Sequence, residues 1–398
     1  MGVLALDSYI YQFIYHLIRK RMKKKHFISI VALLTAICAV SCNKNHSDSD
    51  SLPEQQEASY GNVRISLNTS GEQATKVLSS SAAETRINSV QVFIFNKASG
   101  KRETDRFENL SGTVSDSYSM TLTSLTGEKV VWAVVNSPRI TNVATLDALK
   151  QKVSDLGENT VENLLMSGFN ENVLVRETNS NVSSQQNVVT DASIDVFRLG
   201  ARISLNAVTV DFSNTDLENA TFTVTGLYLK NVVGKVRLDG SGIDLTQAAN
   251  WYNMTNQAAV TSAPAAIQAL TKDMPLSVNC NSSGTATAIG YSWYVYPNAT
   301  TSGQDTNAAG TSVPRGTRLV IKAHLGGTSV GGALNEDTYY VFTIPEIKRN
   351  NAYNITSLKI TMRGKPDDNT DEPTNSGQLS ATITVQDWDS NETLTYEF

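Results

Sequence analysis

Cys42 is the residue whose type and position predict the most definite chemistry. Lysines occupy residues 23–25, an apolar run covers residues 27–40, and the small side chain of Ser41 precedes the cysteine. A basic stretch, a short apolar stretch and small residues before a cleavage point are the parts of a secretory signal. Because a cysteine follows directly, we expect signal peptidase II to cut before Cys42 and its thiol to be diacylated, with palmitate among the acyl groups.

The segments on either side of Cys42 fit an exported, tethered chain. The apolar run is shorter than the ~20 residues that span a bilayer. Met22 is the expected translation start, and residues 1–21, which would otherwise form an amphipathic helix, are left out of the fold. Residues 43–57 are polar and acidic, so residues 42–58 are expected to be a flexible tether. An ordinary signal peptide with a chance cysteine is the alternative interpretation.

The other groups that could do chemistry do not assemble into a catalytic or metal site. His324 is the only histidine after the tether, and we interpret a lone histidine in an alternating segment as structural. Cys280 is the only thiol after Cys42, so no disulfide forms within the body. Acidic and amide side chains at residues 367–372 could hold calcium, but we expect a solvated linker there. The sequence therefore predicts no enzyme, no metal and no cofactor.

Composition and charge bound the class of protein. The formal charge of the chain is −5. Lys and Arg number 27 after residue 41, against 37 Asp and Glu, and such an acidic surface argues against nucleic acid as a partner. About 350 residues follow Cys42, enough for two domains. Threonine, serine, valine and asparagine are frequent and helical patterns are scarce, which favours an all-β fold with a boundary near residue 192.

Short alternating or apolar segments with turn residues between them predict β-sandwiches. The predicted strands cover residues 62–68, 87–96, 118–125, 130–135, 196–199, 202–205, 222–229, 292–296, 319–325, 339–344, 354–362 and 379–388. Apolar residues at helical spacing over 146–156, followed by Gly157, predict a short helix, and a second is predicted over 161–166. The predicted domains are therefore residues 59–192, with short helices, and residues 193–398.

Several segments, taken in order, resemble the major fimbrial subunit family, the fimbrillins of type V pili in Bacteroidetes-type bacteria. They are INSVQVFIFN at 87–96, VVWAVVN at 130–136, LMSG at 165–168, RLGARI at 198–203, YSWYVYPN at 291–298, KRNNAYNI at 348–355 and TVQDW at 384–388. The match at 348–355 is the most telling, and the resemblance covers roughly residues 60–398. It implies two transthyretin-like sandwiches and assembly of subunits by strand exchange.

Strand exchange requires that a first strand be lost, and the sequence offers one. Val63, Ile65 and Leu67 alternate with polar residues, and the segment between Leu67 and the strand that begins at Ile87 is long and polar, as protease-sensitive loops are. Its basic residues are Lys76, which matches the processing position of the family although an arginine is common there, and Arg86, which is expected to be less accessible. A mobile loop without processing is the alternative.

The replacement strand should come from a chain end. Leu394, Tyr396 and Phe398 alternate with polar residues at the C-terminus, and residues 379–385 alternate upstream, after a linker over residues 364–377 that is expected to be flexible. The C-terminus is thus the candidate donor strand, although a normal last hairpin of the second domain is the alternative.

These expectations lead to one functional hypothesis and two competitors. The hypothesis is a fimbrial (pilus) subunit that supports adhesion. It is exported as a lipoprotein to the cell outer membrane, cut by a processing protease, and polymerised with its own copies and with tip or anchor subunits. One competitor is a monomeric surface lipoprotein that binds host or bacterial glycans or proteins, for which Trp251 and Trp293 could supply rings. The other is a minor tip or anchor subunit.

Overall fold

The computed structural model is built almost entirely from strands, and these include the segments in which apolar and polar residues alternate. It describes residues 58–69, 84–114, 117–178, 189–253, 277–301, 315–368, 374, 378–387 and 393–397. Within these ranges the strands are β1 Tyr60–Asn68, β2 Ile87–Asn96, β3 Arg102–Val114, β4 Ser117–Leu125, β5 Gly127–Val135, β6 Val153–Asp155, β7 Met166–Val175, β8 Val189–Asp195, β9 Phe197–Arg198, β10 Ala201–Asp211, β11 Ala220–Lys230, β12 Val232–Val233, β13 Lys235–Arg237, β14 Trp251–Tyr252, β15 Val278–Cys280, β16 Ser283–Val295, β17 Arg318–Ser329, β18 Gly332–Thr343, β19 Asn351–Ile360, β20 Leu379–Asp387 and β21 Thr393–Glu397.

The first nine strands, apart from β6, form two sheets. One has the order β4-β1-β8 and the other the order β3-β2-β5-β7-β9. β2 is buried along nearly its whole length, which is why its sequence is apolar on both faces. The inner faces of the two sheets enclose a core cluster that includes Val63, Val92, Val131 and Met166.

The later strands form a second pair of sheets, with the orders β16-β10-β19-β20-β21 and β15-β11-β17-β18. β10 lies next to β19 in parallel and next to β16 in antiparallel orientation. A larger apolar cluster fills the space between these sheets, with Phe222, Trp293, Tyr340 and Tyr353 among its fully buried members.

Two small strand pairs accompany these sheets. β6 pairs with β13, and β12 pairs with β14. The hydroxyl of Tyr296 lies 2.7 Å from Ser154 Oγ and accepts a hydrogen bond from Asn159 Nδ2, also at 2.7 Å. The two strand groups are therefore held together by backbone pairing and by buried polar contacts, and residues 58–398 form one compact unit. The predicted domain boundary near residue 192 falls inside β8 and stays a prediction.

The helix predictions need correction. Helix α1 covers only Leu146–Lys150, where the Thr145 hydroxyl caps its start by accepting from the Ala148 N–H at 3.1 Å. The chain then becomes extended, because β6 pairs with residues about eighty positions further along, a pairing that local periodicity does not reveal. The helix predicted over 161–166 is wrong: a turn bridges Thr160 and Asn163, and β7 begins at Met166.

The predicted linker over residues 364–377 is also wrong in its described part, which packs on the edge of β18. The Tyr339 N–H donates to the Lys365 carbonyl at 2.9 Å and the Lys365 N–H donates back at 2.8 Å. Further along, the Thr374 N–H donates to the Val341 carbonyl at 2.9 Å. Asp368 accepts a hydrogen bond from the Tyr228 hydroxyl at 2.8 Å. Residues 361–368 and 374 thus act as a strap that pairs the open edge of the sheet.

Two absences concern the described part of the chain alone. None of its helices is long and apolar enough to cross a membrane. Among the same residues, no group of three or more His, Cys, Asp or Glu side chains is placed to hold a metal ion.

Candidate functional site

Strand β1 occupies the centre of a three-stranded sheet. It is antiparallel to β4, with Ile65 opposite Met120, and parallel to β8, with Ile65 opposite Ala192. Every second residue faces the core: the side chains of Val63, Ile65 and Leu67 are at most 1% exposed. The residues predicted to form the inner face of a displaceable strand are therefore all buried, and the strand pairs on both sides.

We call the space between β4 and β8 that β1 fills the β1 groove. Neighbouring strands lie ~4.8 Å apart, so without β1 the groove would be ~10 Å wide and would expose two unpaired backbone edges. Its floor is formed by the core-facing side chains of β2 and β5, namely Val90, Val92, Ile94, Val131, Ala133 and Val135. Such a groove is apolar at its floor and hydrogen-bonding at its walls, which suits another extended segment.

The ends of β1 are fixed by backbone contacts. At its start, the Thr126 N–H donates to the Ser59 carbonyl at 3.0 Å, and the Thr178 N–H donates to the Tyr60 carbonyl at 3.1 Å. At its end, the Val196 N–H donates to the Asn68 carbonyl at 3.0 Å. The whole strand is therefore seated, with no frayed end between residues 59 and 68.

Gly61 marks a close crossing over β1. A Cβ built on Gly61 would lie 2.0 Å from the carbonyl oxygen of Arg176, far inside contact distance. Arg176 directly follows β7, so the chain that leaves β7 passes over the start of β1. A glycine is required here because no side chain fits between the two backbones.

The predicted lipidation and processing positions are only partly visible. Cys42 and Lys76 lie outside the described residues, and both stay predictions. Arg86 is described: it directly precedes β2 and its side chain is exposed. The expectation that Arg86 is less accessible than Lys76 stays a prediction, and because the Arg86 side chain is exposed it depends on the backbone at Arg86.

The backbone after Arg86 is clamped by Asn136. The Asn136 side-chain amide donates to the Arg86 carbonyl at 2.8 Å, and its Oδ1 accepts from the Asn88 N–H at 2.7 Å. Asn136 ends β5 with φ of 63°, a left-handed conformation that asparagine tolerates better than most residues. Asn136 thus holds the carbonyl of the Arg86–Ile87 peptide and the N–H of the next peptide. A protease could cleave after Arg86 only after local unfolding of β2.

Glu84 holds the chain just before this clamp. It is 1% exposed, and its carboxylate accepts two hydrogen bonds from Arg202 Nη1, at 2.8 and 3.0 Å. The Tyr294 hydroxyl donates to Glu84 Oε1 at 2.8 Å. Burial and the negative charge of Glu84 raise the pKa of Tyr294 well above its ordinary value, so its hydroxyl remains a donor. The Arg198 Nε–H donates to the Glu84 carbonyl at 3.2 Å.

These contacts place Glu84 among residues of β9, β10 and β16, whose partners belong to both sheet pairs. We call Glu84, Arg198, Arg202 and Tyr294 the Glu84 cluster. Its position means that the segment between β1 and β2 is anchored at Glu84, on the β2 side.

The predicted donor strand lies at a sheet edge. β21 pairs with β20, with Leu394 opposite Val385 and Tyr396 opposite Ile383. Leu394 is 57% exposed although its neighbour Val385 is buried, because β21 is the outermost strand. Phe398 lies outside the described residues. β21 is thus paired on one side only within the described chain, whereas β1 is paired on both.

The remaining predicted chemical groups have structural surroundings. His324 lies in β17, with its Nδ1 3.1 Å from Asp337 Oδ1 on the neighbouring strand. Cys280 is a buried free thiol whose pKa is raised by burial. Trp251 and Trp293 are each 2% exposed, so their rings pack in the core and form no exposed platform.

Sequence reasoning missed Gly61, Glu84 and Asn136. The positions of Gly61 and Glu84 matter only through contacts with residues more than 100 positions away. Asn136 carried a local signal, since an asparagine directly after an apolar strand is typical of a left-handed strand end.

A family model matches the part of the chain that carries most of these features. Residues 60–206 match the family model described as "Major fimbrial subunit protein (FimA)". This range contains β1, the β1 groove and the Arg198 and Arg202 side chains of the Glu84 cluster. The resemblance noted in the sequence is confirmed over these residues. No curated protein matches the chain.

Three solved structures share the fold. A "putative cell adhesion protein" from Bacteroides eggerthii is 18% identical with a TM-score of 0.56, covering 83% of this chain and 97% of that one. Another from Parabacteroides distasonis is 14% identical with a TM-score of 0.57, covering 83% and 100%. A fimbrilin from Porphyromonas gingivalis is 18% identical with a TM-score of 0.50, covering 83% and 98%. The all-β sandwich prediction is thereby confirmed.

Proposed function

We propose that this chain is a structural subunit of a cell-surface fimbria that polymerises by strand exchange after proteolytic removal of β1, and that it supports adhesion. The observation that carries the proposal is the position of β1. It is the middle strand of its sheet, yet it is the first strand of the folded unit and is joined to β2 by a long polar segment.

The free energy of seating β1 prevents the uncut precursor from polymerising and favours polymerisation of the cut product. Burial of Val63, Ile65 and Leu67 stabilises the seated strand by ~1.5–3 kcal/mol per side chain as an upper bound. Each ladder hydrogen bond contributes ~1 kcal/mol net. While β1 is attached, no strand from another subunit can compete with it. After a cut, β1 is lost by dissociation and the empty groove gains the same terms from a donor strand.

The cut is proposed at Lys76, with Arg86 as the rejected alternative. A cut after Arg86 would have to open a peptide whose carbonyl Asn136 holds, next to a second peptide whose N–H Asn136 also holds. It would also separate Glu84 from the body, although the Glu84 carboxylate partners the largely buried Arg202. A cut anywhere before Glu84 leaves the clamp and the Glu84 cluster intact.

The donor is proposed to be β21 rather than β20. β20 lies between β19 and β21, and its inward residues Leu379, Ala381, Ile383 and Val385 are at most 5% exposed. Removal of β20 would therefore cost the second sheet pair part of its own core. β21 leaves with little loss, since Leu394 is already more than half exposed.

Cys42 supplies a temporary anchor in this proposal. Its lipid would hold the precursor at the outer membrane, and the same cut that releases β1 would release the subunit from that lipid. Partners are then other copies of the chain, tip and anchor subunits, the processing protease, and surface ligands of host or bacterial cells. If the segment is never cut, Cys42 is a permanent anchor and the chain is a monomeric surface lipoprotein or an anchor subunit.

Limited proteolysis tests the proposal. The soluble protein from Asn43 onward is treated with a low dose of a trypsin-like protease and analysed on a gel without boiling. We expect a cut between Leu67 and Glu84, followed by a ladder of oligomers. A cut without a ladder overturns the strand-exchange proposal, and a monomer that binds glycans would support the competing surface-lipoprotein function.

A further inference from the structure

The second sheet pair has four outer strands, and three of them are short, covered or assigned to another use. β15 has three residues. β18 is paired along its edge by the strap at Lys365 and Thr374. β21 is the proposed donor. The fourth, β16, spans thirteen residues, and in the described parts of the chain no strand pairs with its outer edge.

Strand β16 lacks the devices that normally protect an edge. Exposed edge strands usually carry lysine, proline or inward-pointing charge, which discourage pairing with other chains. β16 has no charged residue and no proline over Ser283–Val295. Its first half is made of small residues whose side chains are largely exposed, so another strand could approach its backbone closely.

The sequence of this exposed part is nearly its own reverse. Residues 284–290 read GTATAIG, with Thr287 at the centre. Both terminal glycines have positive φ, 83° at Gly284 and 66° at Gly290, so the chain kinks at both ends of the segment. Between the kinks, residues 286–288 keep unbroken antiparallel register with β10. The segment is therefore short, regular and symmetric about Thr287.

We infer that residues 284–290 of β16 are a self-association edge, where the same segment of a second copy pairs in antiparallel orientation about a twofold axis at Thr287. This pairing sets Ala286 of one copy opposite Ala288 of the other and Gly284 opposite Gly290. An interface of this kind is isologous, so one edge serves both partners. The uncharged, small and symmetric sequence favours a second copy over a partner of different sequence.

The contact is weak in solution and strong in an array. Seven paired residues bury far less than the ~1,000 Å² expected of a stable interface. Because a twofold axis reverses direction, the pairs would join two fibres that run in opposite directions, where every copy presents the same edge and many weak pairs act together. The inference goes beyond the proposed function, because the β1 groove and β21 are not involved and an uncut precursor should pair as well.

Charge placement tests the inference in the uncut precursor from Asn43 onward, which retains the whole unit 58–398. The double variant Ala286→Lys/Ala288→Lys sets lysine against lysine across the axis, and Ala286→Lys/Ala288→Glu sets lysine against glutamate. Both positions are exposed, so both variants should fold, which thermal melts would verify. In sedimentation velocity at high concentration, we expect the Lys/Lys variant to dimerise at least tenfold more weakly than the parent and the Lys/Glu variant to match or exceed it.

Cross-linking tests the register directly. A mixture of Ala286→Cys and Ala288→Cys chains should form disulfide dimers under mild oxidation, while each variant alone should form several-fold fewer, because only opposite positions come within disulfide distance. Val330→Cys, at an 89% exposed turn, measures random collision. Equal cross-linking in all samples, or equal dimerisation of the Lys/Lys and Lys/Glu variants, would overturn the inference. Because the precursor is uncut, failure here leaves the strand-exchange proposal untouched.

Discussion

Glu84 and Arg202 form a buried ion pair in which both carboxylate oxygens accept from one guanidinium nitrogen, at 2.8 and 3.0 Å. The pair joins the chain just before β2 to β10, in the second sheet pair. Since the segment between β1 and Glu84 is the proposed site of processing, this contact decides how much of that segment remains with the body. The position of the cut is therefore limited by the need to keep the Glu84–Arg202 pair, and not by the specificity of the protease alone.

The substitution Glu84→Gln should destabilise the folded unit, residues 58–398. The amide keeps the shape of the side chain, but it removes a negative charge beside Arg202, and the loss of a buried charged partner costs ~2–5 kcal/mol. We expect this loss in the free energy of unfolding by denaturant titration. The matched control is Glu346→Gln, whose partner Lys348 is 3.8 Å away and whose side chain is 48% exposed, so it should change stability by less than ~1 kcal/mol.

A second expectation concerns processing of the same segment. Arg86→Gln should leave the protease-induced ladder unchanged, whereas Lys76→Gln should slow its formation, because the Arg86 peptide is clamped by Asn136. N-terminal sequencing of the trimmed product gives the cut position. A product that begins at Ile87 and still polymerises would contradict the role assigned to Glu84.

Gly61→Ala should loosen β1 without touching the core. The added methyl group would meet the Arg176 carbonyl at 2.0 Å, so the start of β1 or the chain after β7 must move. We expect a loss of ~1–3 kcal/mol in stability and faster exchange of the β1 amide hydrogens. Gly242→Ala, with nothing within 4 Å of the new carbon, is the control and should have little effect. If the β1 amide hydrogens exchange at the same rate in Gly61→Ala as in the parent, the close crossing at Gly61 does not help to hold β1 in place.

How far the sequence predicts this fold depends on how each strand is buried. β1 and β20 alternate cleanly and β2 is apolar on both faces over residues 92–95, so their positions follow from local sequence patterns. β3, which reads RETDRFENLSGTV, lies at a sheet edge and carries few apolar residues, so it gives no such pattern. The strap was predicted to be flexible because it is polar, but its backbone satisfies the edge of β18, a use that composition does not encode.

The candidate site divides in the same way. The inner face of β1 was visible as Val63, Ile65 and Leu67 because alternation is local. The Glu84 cluster joins residues separated by up to 210 positions, so only the folded chain brings them together. Single-sequence patterns thus identify the segment that we propose is displaced, but not the contacts that hold its neighbours in place.

Acid should lower the free energy of unfolding of the folded unit, residues 58–398, through protonation of Glu103. Lys129, fully buried, donates to Glu103 at 2.8 Å, and the Ser124 hydroxyl donates to the same carboxylate at 2.7 Å. Burial alone would raise the pKa of Glu103, but these hydrogen bonds and the charge of Lys129 outweigh it and lower the pKa below 4.5. The contribution is therefore complete above pH 4.5 and is lost as the pH falls through the lowered pKa.

Glu103→Gln should remove this part of the acid dependence and cost ~3–5 kcal/mol at neutral pH, because the buried Lys129 side chain loses the carboxylate that it pairs with. Denaturant titrations between pH 3 and 7 measure both effects. This is roughly the range over which a carboxyl group with a lowered pKa titrates. Asp191→Asn serves as control, since its pair with Arg64 is 3.6 Å long and largely exposed. A parallel pH profile in parent and variant would contradict the assignment.

The C-terminal strand offers the sharpest separation between folding and assembly. Leu394 is 57% exposed in the precursor, so Leu394→Asp should change the free energy of unfolding by no more than ~0.5 kcal/mol. In the β1 groove the same carboxylate would face Val92 and its neighbours on an apolar floor, where an unpaired charge is costly. We therefore expect normal folding and normal cutting of Leu394→Asp, but no ladder. Ile383→Asp, at a fully buried position of β20, should instead unfold the second sheet pair before any cut. If β21 is the donor, residue 394 enters the β1 groove and its charge should block polymerisation. A ladder of full length from Leu394→Asp would therefore exclude β21 as the donor.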